Sequence, residues 1–181
     1  GRTFSAAGHA IDRYEIEDLT RDLAELYPGR RIGALCFGFP DASHDFQRAN
    51  RGVSESASQR FPCLRLADPA EEDRKALAKD LLSGGFRGVK PYHCYVRGKA
   101  TAEVETLDML PDWIMEPVNE IGAIVMLHIP RPGRLADPVN RRQIFEICER
   151  WPRARFVLAH IGRAYWPEAV RGKLDGLSRI P

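Results

Sequence analysis

Short apolar runs alternate with longer polar stretches along the chain. The runs contain few charged residues, which is typical of parallel strands covered on both faces. Five of them are expected to be strands, at residues 32–39, 63–67, 86–90, 123–128 and 155–160. Their centres are about 24 to 37 residues apart, the spacing of repeated strand–helix units. The pattern predicts an α/β fold with a parallel sheet, arranged either as a (β/α)8 barrel or as an open doubly wound sheet.

Two aspartate–proline pairs predict where helices begin. Asp68 supplies an N-cap, and Pro69 suits the first helical position. Glu71 stands at the capping-box position, so we expect a helix over residues 69–82. Asp137, which is also followed by a proline, repeats the signal and predicts the start of a later helix. Two further helices are expected at residues 44–60 and 110–120.

Length and composition describe an ordinary soluble domain. A chain of 181 residues buries enough apolar surface for one core, so we expect a single domain over residues 1–181. The chain is 44% hydrophobic and 29% charged, which excludes disordered and fibrous classes. Lys and Arg number 27 against 25 Asp and Glu, and this near balance argues against a nucleic-acid partner.

The cysteine pattern and the lack of a long apolar run indicate a cytoplasmic protein. The four cysteines form no C-x-x-C pair and most lie in apolar patterns, which favours reduced, buried thiols. A secreted protein with an even cysteine count is the alternative. No apolar run approaches the roughly 20 residues of a membrane helix, and residues 1–9 lack the layout of a signal peptide. We therefore expect no membrane partner.

Two histidines stand at the ends of predicted strands. His128 ends the strand at 123–128, and His160 ends the next one, one strand–helix unit later. The carboxyl ends of adjacent parallel strands meet at one edge of the sheet, which in barrels carries the active site. Imidazole is a common ligand of zinc and similar divalent ions. A single strand-end histidine is more often hydrogen-bonded to a loop, but two at one register favour a metal site.

Further candidate site residues follow the same strand ends. Lys90 ends its predicted strand and is expected to supply a positive charge for a substrate anion rather than to bind metal. Loop side chains are candidates for substrate binding through hydrogen bonds or anion recognition, although His93 fits the loop surface equally well. These candidates are Tyr92, His93, Arg131, Arg163 and Tyr165. The G-x-G-x-x-G, G-x-S-x-G and H-E-x-x-H motifs are absent, which removes several other enzyme classes.

Three segments combine an apolar strand with a polar residue at its end. They are Gly88-Val-Lys-Pro-Tyr92, Ile124-Val-Met-Leu-His128 and Phe156-Val-Leu-Ala-His-Ile-Gly162. In this order they resemble strands four, five and six of the amidohydrolase-related family of metal-dependent hydrolases, also called amidohydrolase family 2. The resemblance implies a (β/α)8 TIM barrel of which the chain covers about strands two to six.

The resemblance also implies a chemistry. In the family, the histidines that end strands five and six bind a divalent metal that activates water, and these positions correspond to His128 and His160. Zinc is the expected metal, and Lys90 joins the two histidines as an expected catalytic residue. The family's other usual ligands, a His-x-His pair on strand one and an aspartate ending strand eight, have no counterpart in the sequence.

The length of the chain bears on this expectation. A full barrel takes about 250 residues, so we expect a fragment, an incomplete version of a longer protein, or a shortened relative. If the polypeptide ends at Pro181, open sheet edges predict a homo-oligomer or a chain without activity.

Three functions remain open. The first is hydrolysis of an amide, ester or lactone bond in a small, carboxylate-bearing substrate by metal-activated water. The second is decarboxylation, which some similar proteins carry out on aromatic acids with the same ligands. The third is a catalytically inactive barrel or binding module, because the His-x-His pair and the aspartate are missing. Substrate assays separate the first two, and metal content separates both from the third.

Overall fold

Four parallel strands form the main sheet of the described chain, in the order in which they occur in the sequence. The structure is a computed structural model, and it describes residues 4–6, 9–11, 14–43, 45–71 and 73–171. A small antiparallel hairpin, β1–β2, precedes the sheet. The strands are β1 Phe4–Ala6, β2 His9–Ile11, β3 Cys63–Ala67, β4 Phe86–Pro91, β5 Ile124–Leu127 and β6 Arg155–Leu158. The helices are α1 Ile16–Leu26, α2 Phe46–Glu55, α3 Arg74–Ser83, α4 Thr106–Met109, α5 Asp112–Ile121, α6 Pro138–Arg150 and α7 Pro167–Val170.

The strand pairing confirms the parallel α/β sheet expected from the sequence. Strand β3 pairs with β4, β4 with β5, and β5 with β6, all in parallel. Leu127 pairs with Leu158 at the carboxyl ends of β5 and β6. The loops that follow these strands therefore begin at one common edge of the sheet, which is where the candidate site residues were expected.

The first strand expected from the sequence, at residues 32–39, is reduced to a single bridge. Cys36 pairs in parallel with Cys63 of β3. The Cys36 amide, however, donates to the carbonyl of Pro62, and the Ala34 amide donates to that of Arg60. The Leu64 amide in turn donates to the Cys36 carbonyl, so the segment lies alongside residues 60–64 and meets β3 only at its first two residues.

One predicted helix start is wrong. The helix expected over residues 69–82 begins at Arg74, because Asp73 caps it by accepting a 2.9 Å hydrogen bond from the Ala76 amide. Asp68 instead accepts from the Ala70 amide at 2.8 Å and closes a turn directly after β3. The Asp68 side chain is therefore left at the edge of the sheet rather than at a helix end.

The other capped helices begin close to their expected positions, although α2 ends at Glu55, five residues before its expected end. Asp137 accepts from the amides of Val139 and Asn140, which confirms the aspartate–proline start of α6. Asp45 caps α2 through the Arg48 amide at 3.0 Å. Helix α6 contains 13 residues. Within the described ranges, none of the helices is both long enough and apolar enough to cross a membrane.

The core lies between the sheet and the helices that connect its strands. Helix α3 packs on α5, and both bury apolar side chains against β3, β4 and β5. The central members of this core include Leu77, Val89, Met109, Ile114, Met115, Val125, Leu127 and Ile144. Strand β6 is less covered, since Val157 at its centre is 41% exposed.

Candidate functional site

Two histidines from adjacent strands come together at the carboxyl edge of the sheet. His128 follows β5 directly and is 8% exposed, whereas His160 lies two residues beyond β6 and is exposed. Their ring centroids are 5.7 Å apart and the rings meet edge to face at 86°. The convergence that the strand pattern predicts for these two side chains is therefore present.

His160 reaches this position through a left-handed turn, not through a strand. The strand expected at residues 155–160 ends at Leu158, and the turn His160–Arg163 has positive φ at every residue. Its values include 54° at His160 and 53° at Ile161. A β-branched residue in this conformation is strained, so tertiary contacts must hold the turn in place.

Two contacts hold the turn against the chain that follows β5. Arg163 donates from Nη1 to the carbonyl oxygen of Ile129 at 3.0 Å. Gly162 is buried, and a Cβ there would lie 3.0 Å from atoms of Ile129 and Leu135. The turn thus fixes the backbone of His160 beside the segment that carries His128.

Tyr92 and His93 complete an aromatic cluster around His128. The Tyr92 ring lies 4.6 Å from that of His128, and the His93 ring lies 5.6 Å from it, measured between centroids. His93 opens the short 3-10 turn that follows β4. The Nδ1 atoms of His93 and His128 are both buried without a hydrogen-bond partner among the described residues. His93 therefore lies in the cluster and not on the loop surface.

The surroundings of His128 keep its imidazole neutral. Burial lowers its pKa to about 3, and the positive charges of Lys90 and Arg163 act in the same direction. Burial, Arg163 and Lys90 also lower the pKa of His93. A neutral imidazole with an unpartnered ring nitrogen is the form in which histidine binds a metal ion.

Lys90 supplies a buried positive charge beside this cluster. It lies in β4, is 2% exposed and donates from Nζ to the Met126 carbonyl at 3.3 Å. The ammonium group also lies 5.2 Å from the ring centroid of Tyr92 and 5.5 Å from that of Phe37. Burial lowers the pKa of Lys90 to about 8, so the side chain is mostly charged at neutral pH.

Arg163 and Tyr165 extend the site on the side of His160. The Tyr165 ring centroid lies 6.3 Å from that of His160, and Tyr165 is 51% exposed. The guanidinium carbon of Arg134 lies 4.6 Å from the Tyr165 centroid. Arg163 retains a buried Nε without a partner among the described residues. Two arginines and a tyrosine therefore lie on the side of His160, the solvent-exposed histidine of the pair.

Arg131 is engaged in the loop. Its Nε donates to Asp137 at 3.1 Å, and its Nη1 lies 3.9 Å from Glu105. Burial alone would raise the pKa of Asp137, but hydrogen bonds from Arg131 and from backbone amides lower it overall. These contacts indicate that Arg131 braces the loop after β5, and its role in substrate binding stays a prediction.

Three residues at or near this edge of the sheet were not identified as site candidates from the sequence. Phe37 lies inside an apolar run, and nothing in its pattern distinguishes it from a core residue. Arg134 is one of several loop arginines, and its contact with Tyr165 depends on how the loops fold. Asp68, by contrast, directly follows β3, so the strand-end rule that selected Lys90 and His128 could have identified it.

The histidine pair is only part of a metal-binding set. Within residues 14–43, 45–71 and 73–171, no group of three or more His, Cys, Asp or Glu side chains is arranged to hold a metal ion. His128 and His160 fit a divalent ion as two of its ligands, because they converge and because His128 keeps a buried Nδ1 unpartnered. A catalytic zinc site usually has three protein ligands, so at least one more is required.

Comparison with known proteins identifies the family. A family model described as Amidohydrolase matches residues 11–173. No curated protein and no solved structure matches the chain. The matched range contains every strand of the parallel sheet and both converging histidines, in agreement with the resemblance seen in the strand-end segments. Since the match covers most of the 181 residues, the chain belongs to the amidohydrolase family.

Proposed function

We propose that this protein is a metal-dependent hydrolase that cleaves an amide, ester or lactone bond in a small, carboxylate-bearing substrate. Family membership supports a metal-dependent hydrolase or a related activity. The observation that carries the proposal is the convergence of His128 and His160 with ring centroids 5.7 Å apart at the carboxyl edge of adjacent strands. Two imidazoles that closely follow neighbouring strands favour a fixed metal geometry.

The proposed metal is zinc, held by His128 and His160 together with at least one further ligand. A bound zinc ion lowers the pKa of its water toward neutrality and polarises a carbonyl oxygen. Burial holds His128 neutral, so no proton has to leave this ring before it binds an ion. Tyr92 and His93 pack on the His128 ring and restrict its orientation.

The chain's cations are proposed to bind the substrate carboxylate. Lys90 is buried, and its nearest described partners are a carbonyl oxygen and two aromatic rings. An anionic group would offset this buried charge better than those partners do. Arg163 and Tyr165 border the same site near His160 and are proposed to orient the substrate, and Arg131 is proposed to contribute from the loop after β5.

The proposed architecture is a (β/α)8 barrel of which the described strands form about strands two to six, within one domain over residues 1–181. The parallel order β3-β4-β5-β6 and the segment at Cys36 support this assignment. Barrels carry their active sites at the carboxyl ends of the strands, where both histidines lie. A cytoplasmic location, an absence of nucleic-acid partners and homo-oligomer formation remain predictions from the sequence.

An assay with a panel of substrates tests the reaction. The protein is loaded with Zn²⁺ and incubated with small carboxylate-bearing esters, lactones and amides, and with aromatic acids whose decarboxylation is followed by CO₂ release. We expect hydrolysis that is abolished by a chelator and by His128→Gln. Release of CO₂ without hydrolysis would replace the proposed reaction with decarboxylation, and a lack of both with intact zinc binding would indicate an inactive binding module.

A further inference from the structure

A cation without an anionic partner lies in the loop after β5. Arg134 is half-buried, and its contacts among the described residues are the Arg163 carbonyl oxygen, 3.4 Å from Nη1, and the Tyr165 ring. The carboxylate at the end of the same loop is already used, because Asp137 binds Arg131 at 3.1 Å. The guanidinium of Arg134 is therefore left to pair with a ligand.

The backbone and two hydrogen bonds fix this guanidinium at the edge of the site. Arg134 has a φ of 54°, which is uncommon for residues other than glycine and is often found where ligands bind. Its side chain donates to the Arg163 carbonyl, and the Arg163 side chain donates to the Ile129 carbonyl at 3.0 Å. These bonds join the loop after β5 to the turn after β6. Because the cation is already held in place, a ligand loses little affinity in ordering it.

Lys90 and Arg134 border the histidine pair from different strands. On the side of β4, the Lys90 ammonium lies 5.2 Å from the Tyr92 ring centroid, which lies 4.6 Å from that of His128. On the side of β6, the guanidinium carbon of Arg134 lies 4.6 Å from a tyrosine ring centroid that is 6.3 Å from that of His160. One cation therefore borders each histidine of the pair.

The balance of charge at this edge favours a substrate with two anionic groups. Lys90, Arg134 and Arg163 all lack a carboxylate partner among the described residues. A single carboxylate would leave most of this positive charge without a counter-charge. We propose that the substrate of the hydrolase is a small dicarboxylate, with one carboxylate bound by Lys90 and the other by Arg134 through charge-assisted hydrogen bonds. This inference rests on the proposed function and narrows its substrate class.

Binding of matched ligands to the Zn²⁺-loaded protein tests the proposal. Calorimetry compares glutarate, adipate and pimelate with pentanoate, hexanoate and heptanoate, which have the same chain lengths but a single carboxylate. We expect at least one dicarboxylate to bind about fivefold to tenfold more tightly than its matched monocarboxylate, the effect of one partly exposed charge-assisted hydrogen bond. Equal affinities within all three pairs would overturn the proposal.

Variants of Arg134 test where the second carboxylate binds. Arg134→Gln removes the charge and should abolish the preference for the dicarboxylate, whereas Arg134→Lys keeps the charge and should retain part of it. Arg87→Gln removes an exposed arginine near the opposite, amino end of β4 and should leave the preference intact. A preference that survives Arg134→Gln in full would overturn the role of Arg134.

A further measurement does not depend on variants. The NMR signals of the Tyr165 ring should shift more with the dicarboxylate than with its matched monocarboxylate, because this ring contacts Arg134. Equal shifts at saturation would contradict binding of the second carboxylate at Arg134. A preference for the dicarboxylate without hydrolysis of any ester, lactone or amide would support this inference and contradict only the proposed reaction.

Discussion

Two cationic side chains at this site, Lys90 and Arg163, have buried atoms that lack an anionic partner among the described residues. Lys90 is 2% exposed, and its contacts among the described residues are a carbonyl oxygen and the rings of Phe37 and Tyr92. Arg163 adds a second cation whose Nε is buried without a partner among the described residues. Both cations lower the pKa of His128 further than burial does alone. The local electrostatics therefore favour an anionic ligand and cost stability when none is bound.

Lys90→Met is expected to stabilise the protein. The change removes a buried charge but keeps a long apolar side chain, so the free energy of unfolding should rise by about 1 to 3 kcal/mol. Urea unfolding at pH 7 measures this, with Lys79→Met on the exposed face of α3 as the matched control. A loss of stability in Lys90→Met would show that the ammonium group has a stabilising partner.

Cys148 gives the protein a pH-dependent stability at alkaline pH. Burial raises the pKa of its thiol from 9.0 to about 11, so between these values the unfolded chain loses a proton that the folded chain retains. Stability from this group is complete below pH 9 and falls by about 2 to 3 kcal/mol as the pH rises to about 11. Urea unfolding of wild type and Cys148→Ala across this range should show the difference between them shrinking. A constant difference would contradict the buried thiol.

Among the elements, the left-handed turn after β6 is one that the sequence pattern could not predict. The apolar pattern extends to His160, and neither His160 nor Ile161 is a residue type that signals positive φ. The turn depends on distant contacts, such as the hydrogen bond from Arg163 to the Ile129 carbonyl. Local patterns contain no information about such contacts, so the strand was predicted two residues too long.

Helix starts show the same limit. Asp68 and Asp73 both stand before apolar, helix-forming sequence, and a proline favoured the first as the cap. The structure uses Asp73, because Asp68 is held by its own turn and by Arg97. At α6 only Asp137 competes for the role, and there the prediction is confirmed.

Ile161→Gly tests the left-handed turn directly. A β-branched residue at φ 53° costs about 1 to 2 kcal/mol, and glycine removes that strain at an entropic cost of about 0.5 to 1 kcal/mol. Because Ile161 is 57% exposed, little packing is lost, and the free energy of unfolding should rise by up to about 1 kcal/mol. Ile161→Val keeps the strain and should show no gain. Destabilisation by Ile161→Gly in chemical unfolding would mean that the turn is not left-handed.

In the whole molecule, repeated strand–helix units bring distant residues to one edge. Lys90, His128 and His160 are far apart in sequence, but they lie within two residues of the carboxyl ends of the neighbouring strands β4, β5 and β6. This part of the site could be predicted because strand ends are visible as the limits of apolar runs. The position of His93 beside His128 could not, since it depends on how the turn after β4 packs.

Zinc binding by the intact chain tests the central claim, which is that His128 and His160 hold a divalent ion. Calorimetric titration with Zn²⁺ should show one saturable site per chain, and His128→Gln and His160→Gln should each weaken it at least about tenfold. Glu149→Gln changes an exposed carboxylate in the last turn of α6 and should bind as the wild type does. Wild-type affinity in both site variants, or no saturable binding by the wild type, would contradict the account.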